Sequence, residues 1–238
     1  MVLCISTAAV AQVAPLVSPW QTPPVVETKT LYSCPAPSHL PVNFVTGGFY
    51  ADNDPTHSII DPVKQKAYQV GFGPVKHEGE VVVAATDAFR STGSKDAARC
   101  VLSHLEAQAR EGTLTGKMSS SQAYFVQGWD AGAEAISYLK IEGNLRATAA
   151  QRTMIHSWLE TEAKLTRNFY EDRMRRDGGD AQNHFYWAAV QLAATDIATN
   201  NRNNFDWAML RARNSIAAIR SDGTLKGEGG PPPLSGWQ

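Results

Sequence analysis

The most constraining feature of this sequence is a series of long segments with helical periodicity, separated by short polar turns. Apolar residues recur every three or four positions in five successive segments, 96–110, 119–141, 147–176, 181–200 and 203–220. Short connections favour antiparallel packing of neighbouring helices. No heptad is sustained and no sequence repeat of fixed period is evident, which argues against a coiled coil and against a tetratricopeptide-like solenoid. The chain is therefore predicted to be all-α.

The segments that precede these helices are less regular. Residues 12–40 are rich in proline and have little helical periodicity, so we predict an extended arm over the surface. Residues 47–62 are polar, turn-forming and aromatic, and they form a candidate lid or binding loop that includes Tyr50. An ordinary loop is the commoner alternative. Residues 64–81 receive no assignment, and residues 81–83 fit either a short strand or a helix start.

The two ends of the chain differ from the rest in composition. Residues 1–11 are apolar and end in Ala9-Val10-Ala11, a pattern typical of signal cleavage, but they lack a positive n-region. Two interpretations stay open: the remnant of an export signal, which predicts a periplasmic or secreted protein, and an ordinary apolar N-terminus. Residues 226–238 are rich in glycine and proline and are predicted to form a flexible tail. No stretch is long and apolar enough to span a membrane.

Composition excludes several classes of function. The chain has 22 Lys and Arg against 23 Asp and Glu, which argues against a nucleic-acid-binding protein that depends on net charge. A phosphate loop, a dinucleotide fingerprint and zinc-ligand spacing are all missing from the sequence, so no metal or cofactor is predicted. Cys4 lies in the possible signal, which leaves Cys34 and Cys100 as a pair that an oxidising compartment could bridge. That bridge would pin the arm to a helix.

The segment 182–189, with the sequence QNHFYWAA, contains the strongest candidate site. It follows a break at Gly178-Gly179, and Asp180 can cap the helix that begins there. His184 would then lie in the first turn, where the positive end of the helix dipole disfavours the charged imidazole. We therefore predict a neutral His184 that can accept a proton.

Two neighbours of His184 add to the candidate site. Asn183 offers an amide that can bind a carboxylate, and Trp187 follows His184 by three residues on the same helical face. A base, an amide donor and an aromatic platform together suit an acidic sugar. Considered without other information, the residues favour a plainer alternative, in which His184 is an ordinary helix-start histidine and Trp187 belongs to the core.

Three arginines, Arg173, Arg175 and Arg176, lie just before the glycine break. Guanidinium groups suit bidentate binding of uronate carboxylates. Cations near the C-terminus of a helix are favoured by the helix dipole in any case, and that explanation is the commoner one.

Three segments, taken together, resemble the alginate lyases, which are poly(β-D-mannuronate) lyases. They are 182–189, then 198–208 with the sequence ATNNRNNFDWA, then 222–225 with the sequence DGTL. In that family an Asn-Asn-His-x-x-Trp run is followed by Phe-Asp-Trp-Ala and by Asp-Gly-x-Leu, in this order and at about this spacing. Further agreement lies upstream, at Cys34-Pro35, in residues 49–62, and at Trp129 with Tyr138-Leu139-Lys140. The resemblance covers residues 33–225.

The resemblance implies roles for individual residues. His184 matches the catalytic histidine of the family, and Asn183 matches the asparagine that neutralises the substrate carboxylate. Trp187 matches an aromatic residue near the sugar. Gln182 stands where the family usually has an asparagine, a change that keeps an amide for substrate binding. We also assign Tyr50 to substrate binding.

The resemblance also implies a fold, a reaction and a partner. Residues 41–225 would form an incomplete (α/α) toroid that cleaves mannuronate-rich alginate by β-elimination, without a metal or a cofactor. The partner would be an acidic polysaccharide rather than a nucleic acid or a membrane. We expect a complete toroid to be monomeric.

One part of the family pattern is missing. The catalytic arginine and tyrosine of the family follow the Asp-Gly-x-Leu turn, but here no arginine follows Arg220 and no tyrosine follows Tyr186. We therefore predict a truncated toroid or a frame-shifted end. Two alternatives to an alginate lyase stay open: a degenerate fragment that only binds uronate oligosaccharides, and a lyase on another polyuronate such as polyglucuronate.

Overall fold

The computed structural model describes residues 14–21, 30–54, 57–143, 147–177 and 183–224. These residues form six helices: α1 (Pro62–Thr92), α2 (Lys95–Glu111), α3 (Ser121–Glu142), α4 (Ala149–Asp177), α5 (Asn183–Thr199) and α6 (Phe205–Ala217). Isolated β bridges join Phe44 with Met118 and Tyr50 with Ile60. The predicted all-α class is confirmed. The possible signal at 1–11 and the tail at 226–238 lie outside the described residues.

The helices form two layers. Helix α3 packs against α1 on one side and α5 on the other, while α2 and α4 contact each other and cover α3. Helix α6 packs against α5. Successive helices joined by short turns in two layers form an arc, which is the arrangement of an incomplete α/α toroid. Of the helices described, none combines the length and the apolar character that crossing a membrane would require.

Helix α1 covers residues 64–81, to which the sequence pattern gave no assignment. The carboxylate of Asp61 caps its start by accepting from the backbone N–H groups of Val63 and Lys64. Pro74 lies inside the helix and Gly71 weakens its helical propensity, so tertiary packing must stabilise this segment. A Cβ at Gly71 would lie 2.9 Å from the carbonyl oxygen of Val45, which explains the glycine by the close approach of the preceding segment.

The boundaries between α1, α2 and α3 follow local capping chemistry. Gly93 ends α1 in the left-handed conformation with φ of 71°, and the hydroxyl of Ser94 then caps α2. Helix α2 likewise ends at Gly112, with φ of 64°. The hydroxyl of Ser120 accepts from the backbone N–H of Ala123 and begins α3, as the serine-rich turn predicts.

The described part of the arm is attached to α1 and α2. A disulfide joins Cys34 to Cys100 on α2, with their Cα atoms 5.5 Å apart. Further along, Leu40 and Phe44 are buried, and they pack with Val75 of α1 and with residues around the start of α3. The segment therefore contributes apolar side chains to the core as well as crossing the surface.

A buried histidine–carboxylate pair also holds the arm. His104 Nδ1 lies 2.6 Å from Glu78 Oε1, and His104 Nε2 lies 3.1 Å from the carbonyl oxygen of Pro35. Glu78 Oε2 accepts from the backbone N–H of Ser38 at 2.9 Å, and Gln108 Nε2 donates to the Ser38 carbonyl at the same distance. Both ring nitrogens of His104 thus face oxygen atoms, one from Glu78 and one from the arm.

Three acidic side chains of α3 and α4 are buried. Asp130 is 8% exposed, and Glu134 and Glu162 are fully buried. Burial raises the pKa of all three carboxyl groups. The charges of Asp130, Glu162 and Glu78 raise the pKa of Glu134 further. Glu134 is therefore held in its protonated form at pH values where an exposed glutamate is ionised.

Replacing Glu134 by glutamine is expected to reduce the loss of stability as pH rises. Between the unfolded and folded pKa values, the folded chain holds a proton that the unfolded chain has released, so the free energy of unfolding falls as pH increases. Each such group contributes about 1.4 kcal/mol per pH unit within that window. The free energy of unfolding, measured with urea between pH 5 and 8, should therefore fall less steeply with pH for Glu134→Gln than for the wild type.

Glu80→Gln is the matched control, because Glu80 is exposed on α1 and pairs with Lys76. Its slope should match that of the wild type. If the free energy of unfolding depended on pH in the same way for the wild type and Glu134→Gln, that result would contradict a protonated Glu134.

Candidate functional site

His184 is the second residue of α5, and its ring packs on an aromatic wall provided by α3. The imidazole is stacked on Phe125, with the ring centroids 3.7 Å apart and the planes 9° apart. Trp129 lies one turn further along α3, with its ring centroid 6.1 Å from that of His184. Because Phe125 and Trp129 are four residues apart, they share one face of α3. Stacking on this face fixes the orientation of the imidazole.

The environment of His184 disfavours its charged form. Burial of the ring, together with the nearby charge of Arg173, lowers the pKa of His184 to about 4. The sequence argument predicted a neutral histidine from the helix dipole, whereas the structure attributes the lowered pKa to burial and to a guanidinium group. Above about pH 5 the imidazole is thus mostly neutral and can accept a proton.

Two polar atoms of this site are buried without a hydrogen-bond partner among the described residues. They are Nδ1 of His184 and the indole Nε1 of Trp129. Buried polar atoms usually have a partner from protein, water or ligand.

Arg173 brings a positive charge to the same aromatic wall. It lies on the last two turns of α4, and its guanidinium carbon is 5.6 Å from the centroid of the Phe125 ring. Asn183, the first residue of α5, is exposed beside His184. The site thus combines a neutral base, an amide and a guanidinium, and these groups come from α4 and α5 packed against α3.

A family model described as alginate lyase matches residues 49–229. The chain belongs to the alginate lyase family. A polysaccharide lyase of Stenotrophomonas maltophilia (strain K279a) is 29% identical over 196 residues, which cover 81% of this chain and 57% of that protein. An alginate lyase of Azotobacter vinelandii is 26% identical over 206 residues, which cover 82% of this chain and 53% of that protein. The chain spans about half the length of these relatives.

Solved structures of this family share the fold. Alginate lyase A1-III from Sphingomonas species A1 superposes with a TM-score of 0.64 at 18% identity, over 88% of this chain and 57% of that one. A histidine-to-alanine variant of A1-III complexed with a tetrasaccharide gives 0.67 at 19% identity, over 87% and 55% of the two chains. At these identities the likeness establishes the incomplete toroid alone.

The other predicted site residues, Trp187, Tyr50 and Gln182, differ in how they lie relative to His184. Trp187 is 57% exposed on α5, so the alternative that placed it in the core is wrong. Tyr50 lies in the loop before α1, where its ring stacks on His57 at 5.4 Å and its carbonyl accepts from Lys64 Nζ at 3.3 Å. Those contacts are with its own loop and with α1, rather than with His184. Gln182 lies outside the described residues.

The sequence did not point to Phe125 as part of the site, and it did not distinguish Arg173 from its two neighbouring arginines. Trp129 belongs to the resemblance to the family, and the four-residue spacing of Phe125 and Trp129 places two large rings on one face of α3. Arg173 was grouped with two neighbouring arginines, and only the packing of α4 against α3 separates it from them. The spacing of Phe125 and Trp129 on α3 is thus the one sequence signal that could have pointed to these residues.

Next to this wall, an open groove lies between the start of α3 and the end of α4. Tyr124 and Phe169 stack at 4.2 Å, and Phe169 meets Phe125 edge-on at 6.0 Å. The groove has a volume of about 530 Å³. Its lining consists of Tyr124, Leu165, Asn168, Phe169, Asp172, Arg175 and Arg176. Aromatic faces and guanidinium groups of this kind suit a chain of acidic sugars.

Proposed function

We propose that this chain is an alginate lyase-type polysaccharide lyase, which cleaves β-D-mannuronate-rich alginate by β-elimination. The observation that carries the proposal is the neutral His184 imidazole, stacked on Phe125 beside the charge of Arg173. The proposal also draws on the printed names of the relatives, which are polysaccharide lyase and alginate lyase. One of the A1-III structures described above is a complex with a tetrasaccharide.

The reaction explains why these groups belong together. β-Elimination removes the C5 proton of a uronate and expels the C4 oxygen, which leaves a C4–C5 double bond. The C5 proton is weakly acidic, because the intermediate adds negative charge next to an ionised carboxylate. Asn183 and a guanidinium group would bind that carboxylate and stabilise the developing charge. The neutral His184 would take part in proton transfer.

The direct test is ultraviolet absorbance of the unsaturated uronate product, measured with the purified 238-residue chain. Polymannuronate should give a steady rise in absorbance, and the rise with polyguluronate should be slower. Polyglucuronate is included because the same arrangement of groups would serve that polymer. If absorbance rose with polyglucuronate and not with polymannuronate, the proposed substrate would be wrong and the proposed β-elimination would stand.

A second outcome of this experiment is binding without cleavage. If the absorbance stays flat, calorimetric titration of the folded chain with a mannuronate tetrasaccharide distinguishes two cases. Measurable binding would identify a uronate-binding chain that does not cleave, which is the second candidate function. Absence of both binding and cleavage would overturn the proposal.

We also propose that the protein is exported to the periplasm or secreted, and that the complete toroid is a monomer. The Cys34–Cys100 disulfide supports export, because such bonds persist in oxidising compartments. Cell fractionation and analytical ultracentrifugation test the two statements separately.

A further inference from the structure

The three arginines at the end of α4 differ in their surroundings. Arg175 is exposed and pairs with Asp172, and Arg176 is exposed with its Nε 3.4 Å from the Asp172 carbonyl oxygen. Arg173 is partly buried and lies over Phe125. Attraction to the helix dipole accounts for the two exposed arginines. It does not account for a guanidinium packed on the ring that carries His184.

The position of Arg173 relates it directly to His184. The guanidinium carbon is 5.6 Å from the centroid of Phe125, and the His184 ring is 3.7 Å from the same centroid. Two side chains from different helices thus share one aromatic neighbour. The positive charge of Arg173 acts on the imidazole, since it contributes to the lowered pKa of His184.

We propose that Arg173 binds a uronate carboxylate beside the His184 ring and so acts as a substrate-binding guanidinium of this site. The inference rests on the proposed function and adds a residue to it. A planar guanidinium matches a carboxylate through two parallel hydrogen bonds. Asn183 supplies an uncharged donor nearby, and Arg173 supplies the charge that compensates the carboxylate.

This assignment links substrate binding to the protonation of His184. In the free protein, the charge of Arg173 favours the neutral imidazole. A bound carboxylate offsets that charge, so the imidazole becomes more basic when the substrate is present. The base would thus gain proton affinity at the stage when the C5 proton has to be removed.

The test compares Arg173→Met with the wild type in two measurements. Calorimetry with a mannuronate tetrasaccharide should show binding weakened about 10- to 100-fold, the range expected for losing charge-assisted hydrogen bonds. Nuclear magnetic resonance titration of the His184 ring in the free protein should show a higher pKa in the variant. The higher pKa would show that the charge of Arg173 acts on His184, and the weakened binding would show that the guanidinium binds the carboxylate.

Two further variants sharpen the comparison. Arg173→Lys keeps the positive charge but cannot form two parallel hydrogen bonds to a carboxylate. It should therefore restore the low pKa of His184 and only part of the affinity. Arg110→Met is the matched control, because Arg110 is an exposed arginine in the last turn of α2 that pairs with Glu106. It should change neither measurement. If Arg173→Met fails to fold by circular dichroism, Arg173→Gln takes its place.

The outcomes separate this proposal from the proposed function. If Arg173→Met bound the tetrasaccharide as tightly as the wild type, or if its His184 had the same pKa, the assignment of Arg173 alone would be overturned. Failure of the folded wild type to bind the tetrasaccharide would overturn both proposals together.

Discussion

Replacing His184 by alanine is expected to lower the rate of β-elimination by about 10²- to 10⁴-fold, the usual contribution of a positioned acid or base. In the proposed reaction the neutral imidazole takes part in proton transfer, and alanine cannot exchange a proton. Helix content should be unchanged, because the ring packs at the first turn of α5 rather than in the middle of a helix. The assay is the absorbance of the unsaturated product, with circular dichroism as the test of folding.

His77→Ala provides the control for this experiment, since His77 is an exposed histidine on α1. Its rate should equal that of the wild type. The pH profile adds a second check. With a His184 pKa of about 4 in the free protein, kcat/KM on the acid side should fall only below about pH 5, whereas an unperturbed histidine would lose its base form near pH 6.5. Full activity in His184→Ala would refute the catalytic role.

Much of the fold was predictable because five of the helices carry a regular apolar pattern. Helix α1 was not, since Gly71, Gly73 and Pro74 interrupt its centre and lower its intrinsic helical propensity. Its stability depends on contacts that are distant in sequence, such as the crossing of Val45 over Gly71. A pattern confined to neighbouring residues carries no information about such a contact.

The candidate site shows the same limit. His184 and Asn183 belong to one short segment, so local sequence was enough to single them out. The partners of the imidazole lie on other helices, with Phe125 on α3 and Arg173 on α4, and only the packing of the toroid brings them together. The neutral state of His184 was predicted from the dipole, but its main causes, burial and a neighbouring charge, are tertiary.

The arm shows how a segment without regular structure is held in place. Its backbone at Pro35 and Ser38 meets the buried pair of His104 and Glu78. Burial alone would raise the pKa of Glu78, but hydrogen bonds from His104 and Ser38 and the charge of His104 lower it overall. A carboxylate that is buried and ionised in this way needs all of its partners, and the disulfide keeps the arm close enough to provide them.

Breaking the Cys34–Cys100 bridge is therefore expected to lower the free energy of unfolding by about 4 kcal/mol. The two cysteines are separated by 66 positions, and a loop of this length gives an entropic stabilisation of that order. Cys34→Ser is the preferred variant, because Cys34 is exposed while Cys100 is buried and sensitive to packing. Urea unfolding of the oxidised wild type and the variant gives the difference directly.

The same experiment separates loss of the bridge from loss of a side chain. Reductant should lower the stability of the wild type to nearly that of Cys34→Ser, and it should leave the variant unchanged. Cys4→Ser should behave like the wild type under both conditions, because Cys4 takes no part in this bond. Equal stability of the wild type with and without reductant would show that the bridge adds nothing to the fold. In that case, the His104–Glu78 contacts would hold the arm by themselves.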